Sequence, residues 1–270
     1  MLAFAKGHGT LNDFVCFTDP DGDLALSDDR LRFLCDRRAG IGGDGTLRAV
    51  RARHVPGYER HGDAWFMDYR NADASIAEMC GNGLRVFLRY LAEEGLIDPD
   101  DETEVVTRAG LRSGTFVPGG DIRVGMGSPV VAQEQVEVTV AGRRYPAWTV
   151  DVGNPHAAAP VVRGELTGLD LSVEPGYPDA VFPNRANVEF FETIAPHHVA
   201  MRVWERGVGE TFSCGTGTVA VARAAAAEAG EPGGTWRVDP PGGSLIVELT
   251  PGQAYLTGPA VIVARGKVNV

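Results

Sequence analysis

The sequence predicts an α+β fold: two pseudo-symmetric domains derived by duplication, each a mostly antiparallel sheet wrapped around a central helix. Three observations carry this expectation. Short runs rich in Val, Phe, Trp and Thr recur along the 270 residues, most of them separated by Gly and Pro, as hairpin-scale strands would be. Only three segments have helical patterning. Two of these, opening at Cys80 and Cys214, resemble each other at an offset of 134 residues and match at six of sixteen positions, namely Cys, Gly, Gly, Arg, Ala and Glu. A duplicated unit of roughly 130 residues accounts for both the offset and the length of the chain.

In chain order, the strand-like runs cover residues 63–69, 104–107, 121–126, 136–140, 187–192, 198–204, 244–249 and 260–264. The helical patterns cover 28–38, 80–95 and 214–230. Pro118-Gly119-Gly120 is the strongest boundary signal, so the sequence predicts domains at 1–117 and 118–270, with a C-terminal strand at about 259–270 packing back on the first. Gly40-Ile41-Gly42-Gly43-Asp44-Gly45 fits a dinucleotide-binding pattern, but it follows a helix and precedes a basic, strand-like run over 46–55. The nucleotide motif requires the reverse order, so this stretch reads as a helix exit and turn.

Charge and composition exclude several functions. With 25 Lys plus Arg against 36 Asp plus Glu the net charge is −11, which repels phosphate backbones and argues against a nucleic-acid partner. The acidic residues concentrate at 19–29 and 93–104 and read as solvated loops and helix ends. No apolar run reaches the roughly 18–20 residues of a membrane span, and the Ala-rich stretch at 218–227 is interrupted by Arg223. The opening residues lack the pattern of a secretory signal, so the expectation is a cytoplasmic protein with reduced thiols. The histidines form no H-E-x-x-H and the cysteines no C-x-x-C, so no metal site is expected.

The four cysteines, at 16, 35, 80 and 214, are candidates for chemistry. Cys16 and Cys35 have apolar surroundings and read as buried small hydrophobes. Cys80 and Cys214 each directly precede a Gly-x-Gly that opens a helix. Unpaired N–H groups and the positive end of the helix dipole favour a thiolate there, so both thiols are expected to ionise easily. The same N–H groups suit a small carboxylate. An amino acid held by its carboxylate between two such thiols can lose its α-proton to one sulfur and regain a proton on the opposite face from the other. That inverts the stereocentre, with no cofactor required if preorganised N–H donors meet the growing charge on the carboxylate.

The residues around the two cysteines carry a specific likeness. The stretch Asn71-Ala72-Asp73-Ala74-Ser75-Ile76-Ala77-Glu78-Met79-Cys80-Gly81-Asn82-Gly83 resembles the first signature of the diaminopimelate epimerase family. Glu205-Arg206-Gly207-Val208-Gly209-Glu210-Thr211-Phe212-Ser213-Cys214-Gly215-Thr216-Gly217 resembles the second. The likeness extends to Gly7-His8-Gly9-Thr10-Leu11-Asn12-Asp13-Phe14, to Gly153-Asn154-Pro155-His156 and to Asn187-Val188-Glu189-Phe190, nearly the whole chain.

The resemblance implies a cofactor-independent homodimeric isomerase, with its active site in the cleft between the two domains, that interconverts LL- and meso-2,6-diaminopimelate for lysine and cell-wall synthesis. It implies acid/base thiols at Cys80 and Cys214, with catalytic support from His156 and Glu205. It also implies substrate contacts at Asn12, Asn71, Asn154, Asn187, Glu205 and Arg206, and helix-end N–H donors at Gly81, Asn82, Gly215 and Thr216. The chain departs from the family pattern at Ala74, where Gly is usual, at Gly45, where many members carry a substrate-touching Gln, and over 164–186, which is short and Pro-rich for a segment that is often helical. Rival readings at this point are a proline racemase-like isomerase, an amino-acid-binding protein without catalysis, and a dithiol redox protein.

Overall fold

A computed structural model describes residues 1–270, which divide into unit 1 (Met1–Val124 with Gly258–Val270) and unit 2 (Gly125–Thr257). In chain order the elements are β1 (Leu2–Gly9), β2 (Asn12–Thr18), α1 (Asp28–Cys35), β3 (Gly45–Arg51), β4 (Trp65–Asn71), α2 (Gly81–Glu93), β5 (Thr103–Thr107), β6 (Gly110–Phe116) and β7 (Ile122–Gly127). They continue with β8 (Val130–Val140), β9 (Arg143–Asp151), β10 (Pro155–Pro160), β11 (Asn187–Ala195), β12 (His198–Glu205) and β13 (Gly209–Thr211). The last are α3 (Gly215–Glu228), β14 (Gly234–Asp239), β15 (Leu245–Thr250), β16 (Gln253–Gly258) and β17 (Val261–Val268). Pro118-Gly119-Gly120 lies in the turn that joins β6 to β7.

The duplication is visible strand by strand. Unit 1 pairs its strands in the order β17-β1-β2-β3-β4-β5-β6-β7, and the successive pairings are antiparallel, antiparallel, parallel, antiparallel, parallel, antiparallel and antiparallel. Unit 2 repeats that series over β8-β9-β10-β11-β12-β14-β15-β16, with β13 added beside β12. The outer strand of unit 1 comes from the C-terminus, and that of unit 2 from β8.

Each sheet wraps one helix. Leu84, Val86, Phe87, Leu88 and Leu91 of α2 are buried, and the helix packs on β1, β2, β3, β4 and β17. In α3 the buried residues are small, Ala220, Ala222, Ala224, Ala225 and Ala226 among them, and the helix lies against β10, whose Ala157, Ala158 and Ala159 are also buried. Small side chains on both surfaces let helix and sheet approach closely. Both helices stop at a glycine in the left-handed region, Gly95 (φ 69°) and Gly230 (φ 70°), where a side chain would be strained.

Helix α1 is shorter than the pattern over 28–38. The side chain of Asp36 accepts from the N–H groups of Arg38 and Ala39, turning the chain out of the helix. The segment 164–186 forms only a single turn at Leu166–Gly168, and it contributes Leu166, Leu169, Leu171 and Phe182 to the core of unit 2.

Candidate active site

The same local device closes the start of the central helix in both units. Cys80 and Cys214 are the N-caps of α2 and α3, with extended backbones, and each sulfur accepts from the N–H three residues on, Gly83 and Gly217 respectively, at 3.4 Å. Cys80 is half-buried and Cys214 buried. Gly81 and Asn82, and Gly215 and Thr216, are the first helical residues, whose N–H groups have no partner inside the helix. A helix start with a sulfur beside it can hold a carboxylate and move a proton.

In unit 1 the turn between β1 and β2 brings Asn12 to this helix start. Its Oδ1 lies 3.5 Å from both the Cys80 sulfur and Asn82 Nδ2. Its Nδ2 donates to Asp44 at 2.7 Å, which fixes the amide orientation. Burial holds the Asp44 carboxyl above its usual range and neighbouring Asp13 adds to the effect. Burial also pushes Asp13 up, but Arg37 and Lys6 reverse this and leave its carboxyl well below the usual range. Arg85 is the one fully buried arginine of α2; it donates to Asn82 Oδ1 at 2.9 Å and to the carbonyls of Gly81 and Pro259, tying the helix start to the chain leading into β17. Asn71 ends β4, and its amide donates to Ser75 Oγ at 3.0 Å.

Two departures from the family pattern have physical reasons in unit 1. A Cβ on Gly45 would stand 2.4 Å from the Arg70 carbonyl oxygen and 2.7 Å from the Tyr69 ring, so no larger residue fits this backbone. Ala74 has φ 69°, the conformation that favours glycine, and its methyl group is buried with Leu2, Phe17, Leu31 and Leu34.

In unit 2 His156 stands in β10, fully buried. Pro155 is the first residue of the strand, where a missing N–H is tolerated. His156 Nδ1 lies 2.7 Å from Glu189 Oε1, and its Nε2 lies 3.0 Å from Asn154 Oδ1. Asn154 Nδ2 reaches Thr216 Oγ1 at 3.4 Å, and Thr216 Oγ1 is 3.5 Å from the Cys214 sulfur. Asn187 donates to the Pro155 carbonyl at 3.2 Å and accepts from the Arg206 N–H at 3.0 Å, joining β10, β11 and the end of β12. Glu205 accepts from the Thr211 hydroxyl. The exposed Arg206 guanidinium donates to the Asn184 carbonyl at 3.4 Å.

The expectation that both thiols ionise easily fails at Cys214. Burial pushes this thiol well up, and the charges of Glu205 and Glu189 push the same way. The hydrogen bonds from Thr216 and the Gly217 N–H act in the expected direction but are outweighed. Among the residues that sequence reasoning passed over, Glu189 had one legible signal: a carboxylate inside Asn187-Val188-Glu189-Phe190-Phe191, where apolar neighbours on both sides mark a buried strand.

The profile of the family described as "Diaminopimelate epimerase" matches residues 4–132 and 148–263. A diaminopimelate epimerase of Streptomyces coelicolor is 49% identical, with 99% of this chain and 96% of that protein aligned. One of Thermobifida fusca is also 49% identical (100% and 98%), and one of Corynebacterium glutamicum is 45% identical (100% and 99%). Among solved structures, a PhzF-family phenazine biosynthesis protein of Bacillus anthracis superposes with a TM-score of 0.72 at 15% identity, covering 100% and 99% of the two chains. A probable proline racemase of Agrobacterium radiobacter gives 0.68 at 15% identity, covering 100% and 93%. These two share the fold. With the profile covering most of both units and close relatives aligned end to end, the chain belongs to the diaminopimelate epimerase family, a family of isomerases.

Proposed function

We propose that this chain interconverts LL- and meso-2,6-diaminopimelate without a cofactor, by proton transfer between Cys80 and Cys214, on the route to lysine and peptidoglycan precursors. The observation that carries the reading is the recurrence, in a chain of this family, of a cysteine that caps a buried, glycine-opened helix in each unit. Inversion needs two groups that exchange protons on opposite faces of one carbon, and the duplicated helix start supplies two.

In this mechanism the substrate's α-carboxylate takes the N–H groups of Gly81, Asn82, Gly215 and Thr216, which meet the negative charge that grows as the α-proton leaves. Cys214, held protonated by burial and two carboxylates, is the acid in one direction, and Cys80 is the base. The reverse reaction exchanges their roles. Asn12, Asn71, Asn154 and Asn187 bind the substrate's polar groups, and Glu205 and Arg206 offer an acceptor and a guanidinium to the distal ammonium and carboxylate. His156 supports the proton transfer from beside Asn154. A cytoplasmic homodimer is the expected form, and light scattering gives the subunit number.

Incubation with LL-diaminopimelate in D₂O tests the reading. The expected result is meso product with deuterium at the inverted α-carbon. Inversion without solvent label, or binding with neither inversion nor exchange, refutes it. L-Lysine and L-proline should be poor substrates because each lacks the distal carboxylate, and proline racemised as efficiently as diaminopimelate is epimerised would refute the assigned substrate.

A further inference from the structure

The two helix starts differ at positions that the strand registers make equivalent. The parallel pair β2–β3 sets Phe14 opposite Gly45 and Cys16 opposite Leu47; the parallel pair β10–β11 sets His156 opposite Asn187 and Ala158 opposite Glu189. His156 thus occupies the place of Phe14, and Glu189 that of Leu47. The helices agree with this match. A Cβ on Gly83 would meet Phe14 at 3.4 Å and Leu47 at 3.6 Å, whereas one on Gly217 would meet Glu189 Oε1 at 2.6 Å. Unit 1 fills the position with two apolar side chains, and unit 2 fills it with a His–Glu pair that is fully buried.

Packing alone does not call for that pair. The apolar twin shows that this fold closes with hydrocarbon at the same positions, and a buried ionic pair is generally no more stabilising than apolar groups of similar volume. Glu189 Oε2 is, moreover, buried with no hydrogen-bond partner, a cost that a purely structural contact would avoid. The pair is connected instead toward the thiol: His156 Nε2 contacts Asn154, Asn154 contacts Thr216, and Thr216 contacts Cys214.

We propose that Glu189 is a positioning residue: its carboxylate accepts from Nδ1 of His156 and so fixes the ring whose Nε2 meets the Asn154 amide at the Cys214 half-site, while the Cys80 half-site, with Phe14 and Leu47 in the same places, lacks the device. A carboxylate and an amide oxygen only accept, so Nδ1–H points to Glu189 and Nε2–H to Asn154 Oδ1, which turns the Asn154 amide nitrogen toward Thr216 and the Cys214 sulfur beyond it. The other ionisable groups acting on this half-site are Glu205 of β12 and Cys214 itself. The duplicated fold therefore gives its two thiols different chemical surroundings. This inference rests on the epimerase reading above.

Two variants test it. His156→Phe/Glu189→Leu copies the unit 1 pair, and Glu189→Gln keeps shape while removing charge. The readouts are the unfolding midpoint, kcat and KM for diaminopimelate, and the ¹⁵N resonances of the His156 ring. The double variant should unfold within a few degrees of the wild type while kcat falls about 100-fold and KM stays within about threefold. Glu189→Gln should move the Nδ1 resonance and lower kcat about tenfold. Wild-type kcat in the double variant, or an unmoved Nδ1 resonance in Glu189→Gln, overturns the inference. If the double variant does not fold, Glu189→Gln decides alone. If the wild type does not epimerise diaminopimelate, the functional reading has failed, and the ring resonance in Glu189→Gln still decides the role of Glu189.

Discussion

The same substitution made at the two equivalent glycines should have opposite effects. Gly83 and Gly217 each occupy the third position of a buried helix, where alanine is favoured over glycine by about 0.5–1 kcal/mol if its methyl group has room. At Gly83 the methyl would lie 3.4 Å from Cys80 Cβ and Phe14 Cζ and 3.6 Å from Leu47 Cδ2, all ordinary contacts. At Gly217 it would lie 2.6 Å from Glu189 Oε1 and 3.3 Å from its Cδ, and Glu189 is fully buried with nowhere to retreat. If the carboxylate moves, its 2.7 Å contact with His156 is lost; if it stays, the helix start must shift. Overpacking costs about 1–3 kcal/mol and disruption of a buried charged contact adds to it, so Gly217→Ala should be less stable than Gly83→Ala by about 3 kcal/mol. Urea unfolding of the two variants beside the wild type measures the difference, and initial epimerisation rates show whether Gly217→Ala also lowers kcat. Equal stability of the two variants, or a loss of more than about 1.5 kcal/mol in Gly83→Ala, would refute the equivalence drawn between Leu47 and Glu189.

Cys80→Ala and Cys214→Ala should each lower kcat at least about 10³-fold while circular dichroism stays unchanged, since one thiol cannot both remove and return a proton on opposite faces; near wild-type turnover in either would be incompatible with two-base transfer. Arg85→Met should cost about 2–4 kcal/mol, because Asn82 Oδ1 and the Gly81 and Pro259 carbonyls lose a buried charged donor; an unchanged urea midpoint would show the guanidinium to be dispensable. Burial raises the Cys35 thiol to about 11 from an ordinary value of 9.0. Its folded pKa is the higher one, so its contribution to stability is full below pH 9 and is lost as pH rises toward 11. Cys35→Ala should therefore flatten the decline in stability between pH 9 and about 11, as measured by urea unfolding, and an unchanged slope would exclude the thiol as its source.

The parts of this protein legible in its sequence are those decided over short distances. A cysteine before Gly-x-Gly becomes an N-cap because the groups that satisfy one another are three residues apart, and the left-handed glycines that end α2 and α3 follow equally local rules. The duplication was visible because both copies kept these residues. Strands poor in β-branched residues were not: β10, Pro-His-Ala-Ala-Ala-Pro, has no strand propensity to read and exists because α3 packs closely on small side chains. Only the tertiary structure decided the chemistry around the thiols. Phe14 and Leu47, like His156 and Glu189, lie 33 residues apart in sequence and meet because neighbouring parallel strands pair in one register. Cys214 shows the consequence: its sequence promised a helix end that lowers the thiol pKa, but burial and two carboxylates brought in by β11 and β12 raise it, because desolvation and charge depend on what surrounds an atom in space.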